Sequence, residues 1–329
     1  MEPGPYSIRP FAESDYEAVA RLNSIYMPEL PETAEDSRRW AEIVAKDPRR
    51  IMRKFVAEEV GSGSLVAWGG LTHTLFNFHP DKYFVRVVVD PAHRRRGVGQ
   101  EMYSLLEREA VRRNAICLWC DAREDDPRSL SFFEHQGYVP TRKIWSSRLD
   151  LAELDLSQVP DRSESLLESG IRITTFAAEG ADRIEVRRRL FELGRMTSAD
   201  VPRLGDYSPV TFEEFVAIDL AGPNVLPDAI FIACDREEYV AWSTLWRAQG
   251  RPDSLDIGFT GTRREYRGRG IAAQLKRRAV IYARDHGYRF MVTGNDSLNP
   301  AIWSINQRLG FRRELVLVQA EKKLRSTGS

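Results

Sequence analysis

One short pattern occurs twice in this chain, in the same order and at the same spacing, and that duplication limits the possible folds more than any other feature. A β-branched run, Val87-Val88-Val89, leads into the turn Arg94-Arg95-Arg96-Gly97-Val98-Gly99-Gln100. Downstream, Leu255 to Thr262, ending in Thr260-Gly261-Thr262, leads into Arg267-Gly268-Arg269-Gly270-Ile271-Ala272. Runs of this kind favour strands. Each basic turn then opens a segment with helical spacing of apolar residues, Val98, Met102, Leu105, Leu106 and Ala110 in the first copy and Ile271, Leu275, Ala279 and Tyr282 in the second. Gly97 and Gly270 stand 173 positions apart (270 − 97), and the pairs Gly137-Tyr138 and Gly310-Phe311 repeat that separation (310 − 137). The 329 residues therefore divide into two similar domains, in line with a prior of roughly 150 residues per domain.

A turn at the start of a helix leaves backbone N–H groups free and places the positive dipole end there, so it favours an anion, a phosphate above all. Gly97 and Gly99 let the backbone approach that anion without a Cβ in the way. The anionic partner must be local. Lys plus Arg (48) balances Asp plus Glu (48), so no field of the whole protein attracts nucleic acid or an anionic membrane.

Along the chain each half reads β-α-α-β-β-β-α-β-α-β. The expected division is a first domain over 1–150, a linker over 151–170 and a second domain over 171–329, the linker being acidic, Ser-rich and without clear periodicity. Tyr26 to Asp36 and Met196 to Pro209 are long irregular stretches, which compact domains keep for a use. No basic-then-apolar leader opens the chain, and no apolar run approaches the ~18 residues of a membrane span, so a cytoplasmic protein is expected. Cys117 and Cys120 read as structural thiols, and no metal site is expected.

The pattern R-x-x-G-x-G/A after a strand resembles the acetyl-CoA pyrophosphate loop of the GNAT N-acetyltransferases. It is carried by Arg94, Gly97 and Gly99 in the first half and by Arg267, Gly270 and Ala272 in the second. The resemblance implies an α/β (α+β) fold of two tandem domains, each a mixed, mostly antiparallel sheet with flanking helices. It also implies a V-shaped cleft between two parallel strands. Acetyl-CoA would lie there as co-substrate against Val87 to Val89 or Thr260 to Thr262, its pyrophosphate on residues 94–100 or 267–272. A cofactor-contacting Asn is expected at Asn299, where helix capping is the competing reading; the first half has Asp126 there, an unfavourable neighbour for phosphates. Asn295 reads as a helix cap.

The family often places a Tyr acid four residues before the Gly-aromatic pair. Here those places hold Phe133 and Asn306. Phe133 has no proton to give and an amide is no practical acid. A carboxylate on the strand before the loop often acts as base. Asp256 fits in the second half, although a solvent-facing strand residue is the competing reading, and the first half offers only Arg86. The resemblance thus implies acetyl transfer to a primary amine of a small molecule or peptide, with the second domain catalytic. The alternatives are a non-catalytic acyl-CoA sensor and a transferase using another acyl donor. Asp200 and Asp206 hint at a cationic acceptor. Neither nucleic acid nor membrane is an expected partner, and the chain is expected as a monomer or homodimer.

Overall fold

Apolar residues on alternate strand positions and on one stripe of each helix build two mixed α/β units in this computed structural model, which describes residues 5–75, 77–203 and 205–324. The first half contains β1 (Tyr6–Pro10), α1 (Tyr16–Tyr26), α2 (Ala34–Ala45), β2 (Met52–Glu59), β3 (Leu65–Thr72), β4 (Lys82–Val89), α3 (Val98–Arg112), β5 (Cys117–Arg123), α4 (Pro127–His135) and β6 (Val139–Asp150). After α5 (Ser163–Glu168), the second half contains β7 (Ile171–Thr175), α6 (Phe176–Glu179), α7 (Ile184–Ser198), α8 (Phe212–Phe215), β8 (Val225–Asp235), β9 (Glu238–Arg247), β10 (Ser254–Thr262), α9 (Ile271–Asp285), β11 (Phe290–Asp296), α10 (Pro300–Arg308) and β12 (Arg312–Lys323). The expected order of elements is present in the first half, and the second half repeats it with one additional short helix between β7 and β8.

The compact units are not the two halves of the chain. One gathers Met1–Arg142, Leu204–Ser208 and Leu317–Ser329, the other Lys143–Arg203 and Pro209–Val316. In the first unit the strand order is β1-β2-β3-β4-β5-β12, antiparallel except for β4 beside β5. In the second it is β6-β11-β10-β9-β8-β7, antiparallel except for β10 beside β11. Each half of the chain thus contributes its last strand to the sheet of the other unit.

The same local devices recur in both units. Trp68 on β3 donates its indole N–H to Asn23 of α1 at 2.9 Å, and Trp242 on β9 donates to Thr197 of α7 at 3.1 Å. Val98, Met102, Leu106 and Ala110 bury the inner stripe of α3, and Ile271, Leu275, Ala279 and Ala283 that of α9. Gly69 on β3 is required by this packing, because a Cβ there would stand 2.6 Å from Met102 Cγ.

The expected linker is not loose. Leu151, Val159 and Leu166 are buried in the second unit's core, and Arg277 and Gln274 of α9 donate to the carbonyls of Val159 and Pro160 at 3.0 and 2.8 Å. Its apolar residues are spaced too irregularly to register as periodicity, yet each is a separate anchor.

Candidate functional site

The two Arg/Gly turns have matching backbones. Gly97 (φ 88°) and Gly270 (φ 80°) form the N-caps of α3 and α9 in the left-handed region, and Arg95 (φ 62°) and Gly268 (φ 78°) share a second left-handed position. A Cβ at Gly97 would meet nothing within 4 Å and one at Gly270 only Arg162 Nη1, at 3.8 Å, so each helix start has room for an anion, the second with a guanidinium beside it. A Cβ at Gly99 would lie 3.3 Å from Val89 Cγ2, a contact tight but tolerable, which explains how Ala272 fills the equivalent place. Arg94 Nε donates to the Val89 carbonyl at 3.3 Å and Arg267 Nε to that of Thr262 at 3.1 Å, tying each turn to the strand before it.

Below the turns, each unit's parallel strands part. β4 and β5 pair only from Lys82/Cys117 to Phe84/Trp119, and β10 and β11 only from Ser254/Phe290 to Ile257/Thr293. The splay leaves a V-shaped cleft whose facing backbone groups have no ladder partner. Here the units diverge. In the first, β4 runs without irregularity against β3, and Arg86 Nη2 reaches across the gap to both carboxylate oxygens of Asp121, at 3.1 and 3.0 Å. Asp121 is almost fully buried, with 7% of its side chain exposed. Arg123, beside it on β5, pairs with Glu29 and accepts no gap either, since its backbone N–H donates to the Tyr26 hydroxyl at 3.3 Å. In the second unit β10 has one extra residue between Ile257 and Thr260, a bulge whose Phe259 N–H donates to Thr244 Oγ1 at 2.9 Å. Gly258 stands at the level of Arg86, and Gly294 stands where Asp121 does. A Cβ at Gly294 would meet nothing within 4 Å. At this level one cleft is bridged by an ion pair, and the other has free space at Gly294 with the Trp246 ring over Gly258.

Comparison with known proteins agrees with this geometry. The chain matches the Acetyltransferase (GNAT) family over residues 18–138 and 200–311. The chain belongs to the GNAT acetyltransferase family. It is 25% identical over 247 residues to the mycothiol acetyltransferase of Pseudarthrobacter chlorophenolicus, covering 71% of this chain and 68% of that one. It is 31% identical over 120 residues to the mycothiol acetyltransferase of Clavibacter sepedonicus, covering 35% and 37%. Among solved structures, a tandem GNAT protein from the clavulanic acid biosynthesis pathway superposes with a TM-score of 0.72 at 18% identity, over 98% of this chain and 100% of that one. A GCN5-related N-acetyltransferase from Sphaerobacter thermophilus superposes with a TM-score of 0.71 at 20% identity, over 99% and 98%. These two likenesses concern the fold. The family makes this chain an acyltransferase, and acetyl-CoA is the family's acyl donor.

The predicted residues of the second cleft sit as follows. Asp256 lies on the face of β10 that also carries Gly258, directly opposite Trp246 of β9. It is partly buried and accepts two hydrogen bonds from Arg251 Nη2 at 2.9 and 3.1 Å. Burial pushes its carboxyl above the usual range, and the Arg251 guanidinium pulls the other way. Asn306 is fully buried; its Nδ2 donates to Asn295 Oδ1 at 2.6 Å, and its own Oδ1 has no partner among the described residues. Asn295 Nδ2 in turn donates to Ser147 Oγ of β6 at 2.8 Å. Asn299 caps α10, accepting from the Ile302 N–H at 3.4 Å, as Asp126 caps α4 from Ser129.

Three expectations change. Asn295 is no cap, because β11 extends through it and turns its amide inward. Asp126 does not distinguish the first loop as unfavourable. It faces Arg94 at 3.7 Å, and the second loop carries an acid too, since Asp200 binds both Arg264 and Arg267. Those two guanidinium groups hold the Asp200 carboxyl down at about 2, so it is already neutralised and offers little to a cationic acceptor. Asp206 is exposed, in the segment that clusters with the first unit. Cys117 and Cys120 are buried on opposite faces of β5, and burial pushes the Cys117 thiol up to about 11, so the two are inert thiols. Among the described residues no group of His, Cys, Asp and Glu could hold a metal, and no helix is long and apolar enough to cross a membrane.

Sequence reasoning missed the Arg86–Asp121 bridge and the bulge. The bulge leaves one trace: Phe84 and Asp256 are 172 positions apart (256 − 84), whereas Val89 and Thr262 are 173 apart (262 − 89).

Proposed function

We propose that the second unit transfers an acetyl group from acetyl-CoA to a primary amine of a small molecule or peptide, while the first unit is a scaffold. The observation that supports this is the contrast in the clefts: the second has no ion pair at this level and open space at Gly294, with the Trp246 ring standing over Gly258, whereas the first is bridged by Arg86 and Asp121. The residues fit the co-substrate. Arg267 to Ala272 would hold its pyrophosphate on the start of α9, and the unpaired edge of β10 beyond Ile257 would take up its pantetheine. Bound acetyl-CoA supplies an activated thioester carbon. Asp256 receives the proton of the attacking amine, directly or through one water. Its partial burial raises its affinity for that proton, and Arg251 fixes its orientation. Asn306 cannot protonate the leaving thiolate. It acts instead as a buried polar anchor oriented through Asn295 and Ser147, and the thiolate takes its proton from solvent.

The absence of a Tyr at both Phe133 and Asn306 favours one competing reading, an acyl-CoA sensor without turnover. A thiol-release assay separates the two. With acetyl-CoA and a panel of primary amines, amine-dependent release of free CoA is expected from the wild type and is lost in Gly270→Glu. Tight acetyl-CoA binding with no release on any amine would establish the sensor.

A further inference from the structure

α8 does not end as an ordinary helix. It continues into a π-turn, Val216–Leu220, closed by the Ala221 N–H donating to the Val216 carbonyl at 2.8 Å. Wide turns of this kind are rare and recur at functional sites. Phe215, one turn earlier, packs on Trp242 (ring centroids 5.7 Å), and Trp242 packs on Phe259 of the bulge at 5.1 Å. The α8 segment therefore covers the face of the second unit's sheet that carries Trp246 and Asp256. The chain then turns at Gly222 and enters β8 with Val225 paired to Trp246, so the π-turn is carried toward the Trp246 end of that face.

Asp219 sits on this π-turn, one turn from Phe215 along the helix. It is 9% exposed and has no hydrogen bond or ion pair among the described residues. Its situation differs from the other carboxylates of this region, since Asp200 is taken by Arg264 and Arg267, and Asp256 by Arg251. An ionised carboxylate at such depth is costly without a cation or donors around it. Burial alone pushes its carboxyl up to about 7. A second unmet group lies on the same face: the Trp246 indole N–H is buried without a partner among the described residues, its ring lying over Gly258.

We propose that Asp219 is the acceptor-recognition carboxylate of the second unit, pairing with a cationic group of the acceptor other than the amine that is acetylated. The acceptor class is then a diamine or a larger amine with a second positive charge. This rests on the second unit's being the acetyl-transferring one. Asp219 is a specificity residue and takes no part in the chemistry, which stays with Asp256. The Trp246 N–H supplies a neutral donor on the same wall, suited to an oxygen of the acceptor.

The test compares 1,4-diaminobutane with butylamine, which differ by one ammonium group, as acceptors with acetyl-CoA. The wild type is expected to favour the diamine by about 10- to 100-fold in kcat/KM, through KM, the range of a charge-assisted hydrogen bond. Asp219→Asn, nearly isosteric, is expected to erase that preference and leave kcat with butylamine unchanged. Asp219→Leu is read in the same way should the Asn variant fold poorly. An equal loss with both amines, or a diamine preference that survives the substitution, would overturn the assignment. Thermal melts with CoA and each amine keep this separate from the reading of the second unit. A diamine-specific rise in Tm that Asp219→Asn abolishes supports the site even where no amine turns over. The absence of that rise together with the absence of turnover removes the site.

Discussion

The two clefts descend from one pattern and differ at one level. Both have the Gly-capped turn, an Arg tied to the preceding strand and a parallel pair that splays after three or four residues. In the first, Arg86 and Asp121 bridge the gap, on a strand with no bulge. In the second, no ion pair spans the gap: Gly294 has open space beside it, and Gly258, at the bulge, lies under the Trp246 ring. On the proposed assignment, a phosphate loop is not enough to make a working site. It fixes where an anion can rest, whereas the strands beneath it decide whether anything attached to that anion can enter. The first half keeps its loop as a fold element, since Gly97 and Gly99 also shape the entry to α3, above a cleft that an ion pair bridges.

The largest expected effect concerns the carboxylate proposed as base, which only one cleft has. Phe84 stands where the second unit has Asp256. Asp256→Asn is expected to lower kcat/KM about 10²- to 10⁴-fold, the usual contribution of a positioned general base. The sign of the pH dependence follows from its burial. The carboxylate must be deprotonated to act, and its pKa lies above the ordinary 3.8. Activity should therefore fall as pH drops through that raised value, and this acid limb should be missing from the profile of the Asn variant.

Next in size is closing the open cleft. Gly294→Asp places the first cleft's acid in the second, where a side chain has open space. Turnover is expected to fall about 10²-fold through a misplaced acyl group, while Tm changes by a few degrees at most. A variant that keeps full activity would mean that this level of the gap does not gate entry. Opening the closed cleft is the reverse experiment. Arg86→Ala leaves Asp121 buried and unpaired, at a cost of about 1–3 kcal/mol, moderated because a third of the Arg86 side chain is exposed. Arg86→Ala/Asp121→Ala should cost less than the two single losses summed, and chemical denaturation of the four proteins measures that coupling. The smallest effect is Gly99→Ala, which copies Ala272 of the second loop. It should change stability by less than about 0.5 kcal/mol by the same measurement, in keeping with a tolerable contact to Val89.

How much of this could be read beforehand follows from what each feature depends on. The loops were legible because glycine, arginine and helical spacing are local signals, and two copies in register reinforce each other. The strand and helix order followed from the same periodicities. The bridge was not legible: Arg86 and Asp121 lie 35 positions apart (121 − 86), and an Arg on a strand reads only as a missing acid until β5 is placed beside it. The bulge leaves only a one-residue shift in spacing, because Gly258 and Phe259 together face the single residue Thr244 and neither type marks the place. Asp200 misled because its partners, Arg264 and Arg267, belong to a loop already given another purpose. Asp219 gave no sign at all, since burial without a partner is a property of the packed wall and not of the sequence around it.

The most direct measurement is a calorimetric titration of acetyl-CoA into the wild type, Gly97→Glu and Gly270→Glu. Each variant puts a carboxylate where a pyrophosphate would rest, and each forces a side chain into a left-handed position, so each controls for the strain in the other. One equivalent is expected in the wild type, retained in Gly97→Glu and lost in Gly270→Glu. Loss of that equivalent in Gly97→Glu, or its survival in Gly270→Glu, would place acetyl-CoA in the bridged cleft and contradict the assignment of the second unit as the working one.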